Sequence, residues 1–213
     1  MHPRCRKQAF KAANHGMIMA HESQAGSRAR NRLHSMMGVQ AKQRIGEMLR
    51  VDHAGEYGAV QIYKGQLAVL RHGAKNQRHF ALVSRMAEQE REHLESFDDM
   101  LRARQIRPTL MHPIWSAAGF GLGAISALIS PAAAHAVTAA VEEVISDHYH
   151  EQSQELAQDE PELASLVTRF AQDEAEHRHV ALEEGAEKAP AYSFLSAAVR
   201  LGCRIAIRVS EKI

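Results

Sequence analysis

The sequence predicts an all-α protein, a four-helix bundle with a long apolar crossover helix and an extra C-terminal helix. Three observations carry this expectation. Apolar residues recur at helical spacing over long segments that end at Pro or Gly. No period-two alternation bounded by turn signals occurs, so no sheet is expected. An ordered set of Glu and His positions also occurs twice along the chain at nearly the same offset, which reads as a duplicated helical hairpin.

The chain has 213 residues, 45 % hydrophobic and 24 % charged, with only 19 Gly and Pro together, which suits one folded domain. The net charge of +1 hides an asymmetry: residues 1–46 carry nine Lys/Arg and one acid, Glu22, leaving 17 basic against 24 acidic residues beyond. A body near −7 excludes a nucleic-acid-binding core, and no nucleic acid is expected as a partner. Cys5 and Cys203 form no disulfide framework and no Cys-x-x-Cys spacing. Residues 1–44 read as a separate basic segment, poorly ordered, with the composition of a transit peptide, an anionic-lipid-binding arm or a plain tail. Residues 45–213 form the bundle domain.

The first helix is expected from Ile45 to Leu70, where Met48, Val51, Val60, Ile62 and Leu67 hold the apolar positions; a polar turn containing Gly73 follows. The second covers Gln77–Arg104 and ends before Pro108. From Pro108 to Val141 the chain then runs without a single Asp, Glu, Lys or Arg. Ser130-Pro131 divides this run into a short apolar helix, Pro113–Ile129, and the start of another that continues to about Asp159. Pro161 opens the next, ending near Lys188–Pro190, and a last helix covers Ser193–Glu211. Pro113–Ile129 is at the lower length limit for crossing a bilayer and is mostly Ala, Gly and Ser, so it is expected as a buried bundle helix or one lying on a membrane surface.

Residues i and i+3 of a helix share a face, so Glu-x-x-His offers an oxygen and a nitrogen to one ion. The chain has three such pairs, Glu90/His93, Glu174/His177 and Glu176/His179. Chance gives about one at this composition. The order of groups adds what the pairs alone lack. Glu56 precedes Glu90 and His93 by almost the same interval that separates Glu142 from Glu174 and His177. The step from each group of the first half-set to its counterpart in the second is therefore nearly constant. Each half is then a hairpin in which one helix brings a glutamate and its partner brings Glu-x-x-His, the ferritin-like arrangement of inward-pointing ligands. Glu143 can replace Glu142, and Glu176/His179 can replace Glu174/His177; the near-constant offset favours Glu142 and Glu174.

Four buried carboxylates need compensating charge, and two divalent ions supply it. Oxygen and nitrogen donors without thiolate suit iron or manganese, and iron is the choice. Glu92, Glu95, Glu151, Glu155, Glu183 and Glu184 are expected on the solvated face. Tyr63 and Tyr149 each lie seven residues after a repeat glutamate, two turns along nearly the same face, as packed hydrogen-bonding tyrosines or as pocket or relay groups. His53 and Asp173 are candidates to orient the ligands from outside.

These residues resemble a known family. Val51-Asp52-His53-Ala54-Gly55-Glu56-Tyr57-Gly58-Ala59, Gln89-Glu90-Arg91-Glu92-His93-Leu94, Val141-Glu142-Glu143 with His148-Tyr149, and Asp173-Glu174-Ala175-Glu176-His177 look like the demethoxyubiquinone hydroxylases, di-iron monooxygenases of ubiquinone biosynthesis. The resemblance covers about Ile45 to the C-terminus. It implies that Glu56, Glu90 and His93 hold one iron, that Glu142, Glu174 and His177 hold the other, and that Glu90 and Glu174 bridge both. It further implies hydroxylation of a 2-polyprenyl-3-methyl-6-methoxy-1,4-benzoquinol with dioxygen, with His148 and Tyr149 near the substrate pocket. Other ubiquinone-biosynthesis proteins are expected partners.

Electrons come from outside, from NADH or by way of the quinone, since Gly119-x-Gly121-x-Gly123 lacks the strand and spacing of a dinucleotide fingerprint. A lipid substrate implies a membrane-facing surface, expected at residues 108–141 and 193–213. In the second of these, Arg200, Arg204, Arg208 and Lys212 recur every fourth residue opposite Leu201, Ile205 and Val209. The expected setting is the cytoplasmic face of a bacterial inner membrane or the matrix side of a mitochondrial one. The rival readings are a ferritin-like ferroxidase or iron-binding protein, a peroxide-reducing relative that would normally add a Cys-rich iron module, and a helical membrane adaptor with inert glutamates.

Overall fold

The computed structural model describes residues 39–72 and 76–213. The described residues are helical throughout apart from turns and short connections, with no strand among them. Among the described residues six α-helices follow one another: α1 (residues 39–70), α2 (Gln77–Arg104), α3 (His112–Ile129), α4 (Pro131–Leu156), α5 (Pro161–Glu183) and α6 (Tyr192–Lys212). A 3-10 turn, Ala186–Lys188, precedes α6. Packing divides the chain into Met1–Ile45, of which residues 39–45 are described and helical, and Gly46–Ile213, which holds the bundle. The basic segment expected at residues 1–44 falls mainly on residues 1–38, outside the described ones.

Local chemistry accounts for the boundaries. Ser130 is extended and its hydroxyl accepts from the Ala133 N–H, capping α4, while Pro131 takes the first helical position. Pro113 and Pro161 stand at the starts of α3 and α5 in the same way. Gln105 closes α2 in the left-handed conformation with φ 56°, and the Ile106 N–H reaches back to the Leu101 carbonyl. The fifth helix stops earlier than expected. Gly185, at φ 88°, turns the chain in a conformation that glycine adopts without a side-chain clash, so α5 ends at Glu183 rather than near Lys188–Pro190.

α4 is the central element, its buried face built largely of small side chains. Ala133, Ala136 and Ala139 pack against Ala181, Ala186 and Ala189. Gln66 of α1 ties into it, donating to the Ala134 carbonyl and the Thr138 hydroxyl at 3.1 and 3.2 Å. α3 crosses α1 at backbone contact. A Cβ on Gly123 would overlap the Ile62 carbonyl, and one on Gly65 would overlap that of Phe120. Gly123 is therefore a packing glycine, needed because two helix backbones touch. The crossover helix is only partly a core helix, because Ile114, Phe120, Ile125, Leu128 and Ile129 are exposed.

Candidate metal centre

Each bundle helix turns its apolar face inward, and the repeat glutamates lie on that face. α1 presents Glu56, α2 Glu90 and His93, α4 Glu142, and α5 Glu174 and His177; all six are buried. They form two overlapping groups, Glu56/Glu90/His93/Glu174 and Glu90/Glu142/Glu174/His177. Within each group one donor atom per residue lies within 4.8 Å of all the others, a separation that one ion can span. Glu90 and Glu174 belong to both groups. The competing registers are elsewhere: Glu176 and His179 are exposed on α5 or at its margin, and Glu143 is half-buried against Arg178 and Arg200.

The two halves brace each other with matching bonds. His93 Nδ1 lies 3.0 Å from Glu174 Oε1, and His177 Nδ1 lies 2.9 Å from Glu90 Oε1 and 3.2 Å from Glu174 Oε2. With both Nδ1 atoms facing the carboxylates, each Nε2 points outward to an acceptor: His93 to Asp173 Oδ2 at 3.2 Å, His177 to Gln89 Oε1 at 3.1 Å. An N–H donated outward fixes the ring and leaves the inner nitrogen's lone pair free for a metal. Asp173 thus holds the His93 ring from outside the cluster. Gln89 is not singled out by the sequence reading, although it stands immediately before Glu90 as Asp173 does before Glu174. The tyrosines cross over as well. Tyr63 of α1 donates to Glu142 Oε1 of α4 at 2.8 Å, and Tyr149 of α4 donates to Glu56 Oε1 of α1.

Burial falls hardest on the carboxylates. Together with the adjoining Glu90 carboxylate it pushes Glu56 well above the usual carboxylate range. Burial and Glu174 do the same to Glu142, and they raise Glu90 to about 8. Burial works against a charged His177, but its bonds to Glu174 and Glu90 win and raise it to about 11. Glu56 Oε2, Glu90 Oε2 and Glu142 Oε2 are buried without a hydrogen-bond partner. Orphaned carboxylate oxygens, with imidazole lone pairs turned toward them, fit a pair of divalent cations.

A cavity of about 400 Å³ lies between α1, α3, α4 and α6. Its lining is almost wholly apolar or small and includes Gly55, Gly58, Leu122, Val141, Val199 and Cys203. Gly55 and Val141 are chain neighbours of Glu56 and Glu142, and burial together with the Glu142 carboxylate pushes the Cys203 thiol up to about 12. A Cβ at Gly55 or Gly58 would meet nothing within 4 Å, so these glycines leave open space along the cavity wall.

Three expected residues do not line this cavity. Tyr149 packs its ring against Phe97 and Phe170, away from the cavity lining. His148 lines a separate polar recess with Glu151, Arg204 and Arg208. Its Nε2 lies 3.0 Å from Asp52 Oδ1, whose other oxygen accepts from Gln152 at 2.7 Å. Burial lowers the His148 pKa, but the bond to Asp52 outweighs it and the net direction is upward. His53 bonds Asp98 at 3.0 Å and faces His112 at 3.3 Å, so its partners lie outside the six-residue cluster. Glu184, expected in solvent, is largely covered and pairs with Arg78, while Glu92, Glu95, Glu151, Glu155 and Glu183 are exposed.

The sequence pattern of the family described as "Ubiquinone biosynthesis protein COQ7" matches residues 43–210. The chain belongs to the COQ7 family. It is 46 % identical over 175 residues to the "NADPH-dependent 3-demethoxyubiquinone 3-hydroxylase, mitochondrial" of Dictyostelium discoideum, covering 81 % of this chain and 79 % of that one. The "3-demethoxyubiquinol 3-hydroxylase" of Rhodospirillum rubrum is 45 % identical over 169 residues, 79 % of this chain and 78 % of the other. The human NADPH-dependent counterpart is 40 % identical over 173 residues, with coverage of 79 % and 78 %. The all-α, ferritin-like bundle of the COQ7 family and the resemblance read from the motifs agree with the helices and glutamate order found here.

Proposed function

We propose that this chain hydroxylates the ring of a demethoxyubiquinol, a 2-polyprenyl-3-methyl-6-methoxy-1,4-benzoquinol, with dioxygen. One oxygen atom enters the ring at a C–H position and the other leaves as water, with two electrons drawn from a reductant. Glu56, Glu90 and His93 would hold one iron, and Glu142, Glu174 and His177 the second, with Glu90 and Glu174 shared. Bound iron supplies the activation of dioxygen. The observation that carries the reading is an apolar cavity whose walls include Gly55 and Val141, the chain neighbours of the buried Glu56 and Glu142, and Cys203, whose thiol feels the Glu142 carboxylate. A ferroxidase acts on a hydrated cation and has no use for such a cavity, so the storage reading is not favoured.

The protein's part is positioning and exclusion of water. The cavity walls take the quinol ring and the first part of its tail, with the small residues at Gly55 and Gly58 bringing the ring close to Glu56. Tyr63 and Tyr149 hold Glu142 and Glu56 through their hydroxyls, and Asp173 and Gln89 hold the two imidazoles. Burial keeps both phenols far above their ordinary pKa, so they remain donors at every physiological pH.

The tail leaves toward a membrane. α3 exposes Ile114, Ile125 and Leu128, and α6 exposes Phe194, Leu201 and Ile205, beside the cavity those helices enclose. α3 is long and apolar enough to cross a bilayer by composition, but its exposed row suits peripheral insertion along the surface. Arg204 and Arg208 supply cations for anionic headgroups, while Arg200 is engaged by Glu143. The names of the D. discoideum and human relatives carry both NADPH and mitochondria, which supports NADPH as the reductant and a matrix-facing membrane as the alternative to a bacterial inner face.

The test is anaerobic loading with ferrous iron followed by demethoxyubiquinol, NADPH and ¹⁸O-labelled dioxygen. A product carrying one labelled oxygen atom, absent from iron-free protein and from Glu142→Ala, is expected. Iron-loaded protein that consumes dioxygen without labelling the quinol would refute the assignment.

A further inference from the structure

A second convergence of ligand atoms lies at the end of the bundle where α2 and α4 begin and α5 ends. His79 Nδ1 is 3.0 Å from His135 Nε2 and 3.6 Å from Glu184 Oε2. All three donors fall within 4.8 Å of one another. Two donors on a tetrahedral zinc, each bonded at about 2.0–2.1 Å, are separated by about 3.3 Å, and the separations of 3.0 and 3.6 Å bracket that value. Two imidazoles and one carboxylate also make up a known zinc donor set, with the fourth position left to water.

The composition of the cluster is not explained by the duplicated hairpin. The positions that the repeat offsets pair with His79 and His135 are Leu163 and Leu49, both buried apolar residues. His135 is itself fully buried in an alanine-rich stretch of α4, where an aliphatic side chain would pack at no desolvation cost. Arg78 engages Glu184 Oε1, which orients the carboxylate and leaves Oε2 toward the imidazoles. His135 lies two helical turns before Glu142 on one helix, roughly 10 Å along its axis, so the cluster is separate from the six-residue centre.

We propose that His79, His135 and Glu184 bind a single zinc ion, a site apart from the catalytic metals that fastens the starts of α2 and α4 to the end of α5. Such an ion joins α2 of the first hairpin to the second hairpin, whose own packing at this end consists of small alanines.

The full-length protein is first loaded anaerobically with ferrous iron, then titrated with zinc against a competing chelator, alongside His79→Ala and Glu184→Gln. Both substitutions are at positions that are not fully buried, so folding is retained and is checked by circular dichroism. Wild type should hold about one more zinc per chain than either variant, with affinity at least tenfold weaker in the variants and iron content unchanged. Zinc-edge absorption should show nitrogen and oxygen neighbours at about 2.0–2.1 Å, lost in the variants. The difference between wild type and variants stands whether or not the main centre takes iron. Equal zinc in all three proteins, or zinc in wild type that merely displaces iron, would overturn the proposal.

Discussion

Stripping the metals should make this bundle more stable in mild acid than at neutral pH, the reverse of ordinary acid denaturation. Glu90 shows why. Burial and the Glu174 carboxylate raise its pKa from 4.5 to about 8. A carboxyl with a folded pKa above its unfolded value binds extra protons in the folded state, so stability falls as the pH climbs between those two values. Integrated from pH 5 to 7.5, Glu90 alone removes about 3 kcal/mol. His177, raised from 6.5 to about 11, runs in the same direction above pH 6.5 because its proton is also held more tightly in the folded state. At about 2–4 °C per kcal/mol for a chain of this size, the loss corresponds to a fall in midpoint of about 6–12 °C. The assay is thermal unfolding by circular dichroism on chelator-treated protein across that pH range. Ferrous iron or manganese should reverse the slope, since cations bind the deprotonated ligands and stabilise most where protons no longer compete. A metal-free protein whose midpoint is flat or rises toward pH 7.5 would show that these carboxylates are not confined together in a dry interior.

Further outcomes follow from the same geometry. Glu142→Ala and His177→Ala should each abolish turnover and metal retention while far-UV helicity stays near wild type; collapse of the helical signal would assign those residues to the core instead. Gln89→Leu removes the acceptor that holds His177 and should weaken metal binding by about 10–100-fold, measured by chelator competition. Gly58→Ala should stabilise α1 by about 1 kcal/mol, because its Cβ enters empty space, whereas Gly123→Ala should destabilise by about 1–3 kcal/mol through overlap with the Ile62 carbonyl. Urea midpoints moving the same way in both glycine variants would contradict the close crossing of α1 and α3. Replacing Arg204 and Arg208 with Glu should reduce flotation on anionic liposomes, at about 1 kcal/mol per cation lost.

The six-residue cluster was legible because repetition is a signal that single motifs lack: one Glu-x-x-His is near chance, but two in register with a preceding glutamate are not. The helix starts were legible for a similar reason, since Pro131 and Pro161 fix the backbone locally. What stayed hidden depends on rotation about helix axes. Periodicity places His148 one residue from Tyr149, yet a step of one residue turns a side chain by about 100°, sending one into the core and the other to a polar recess. The partners of Gln89 and Asp52 lie on other helices, far along the chain, where no local pattern reaches. Glu184 looked like any surface acid until α5 ended at Glu183 and the turn through Gly185 placed it beside His79.

The exchanged tyrosine bonds carry a final consequence. Tyr63 reaches the glutamate of the second hairpin, and Tyr149 reaches that of the first. This reciprocity is the contact rule of an isologous two-fold pair, in which a residue on one copy meets a partner on the other and the reverse holds equally. A lone hairpin would expose both its donor and its acceptor unsatisfied, whereas two identical hairpins would satisfy each other. The fused chain therefore carries the contact pattern of a dimer within one polypeptide, and a change to either tyrosine is felt at the glutamate of the opposite half.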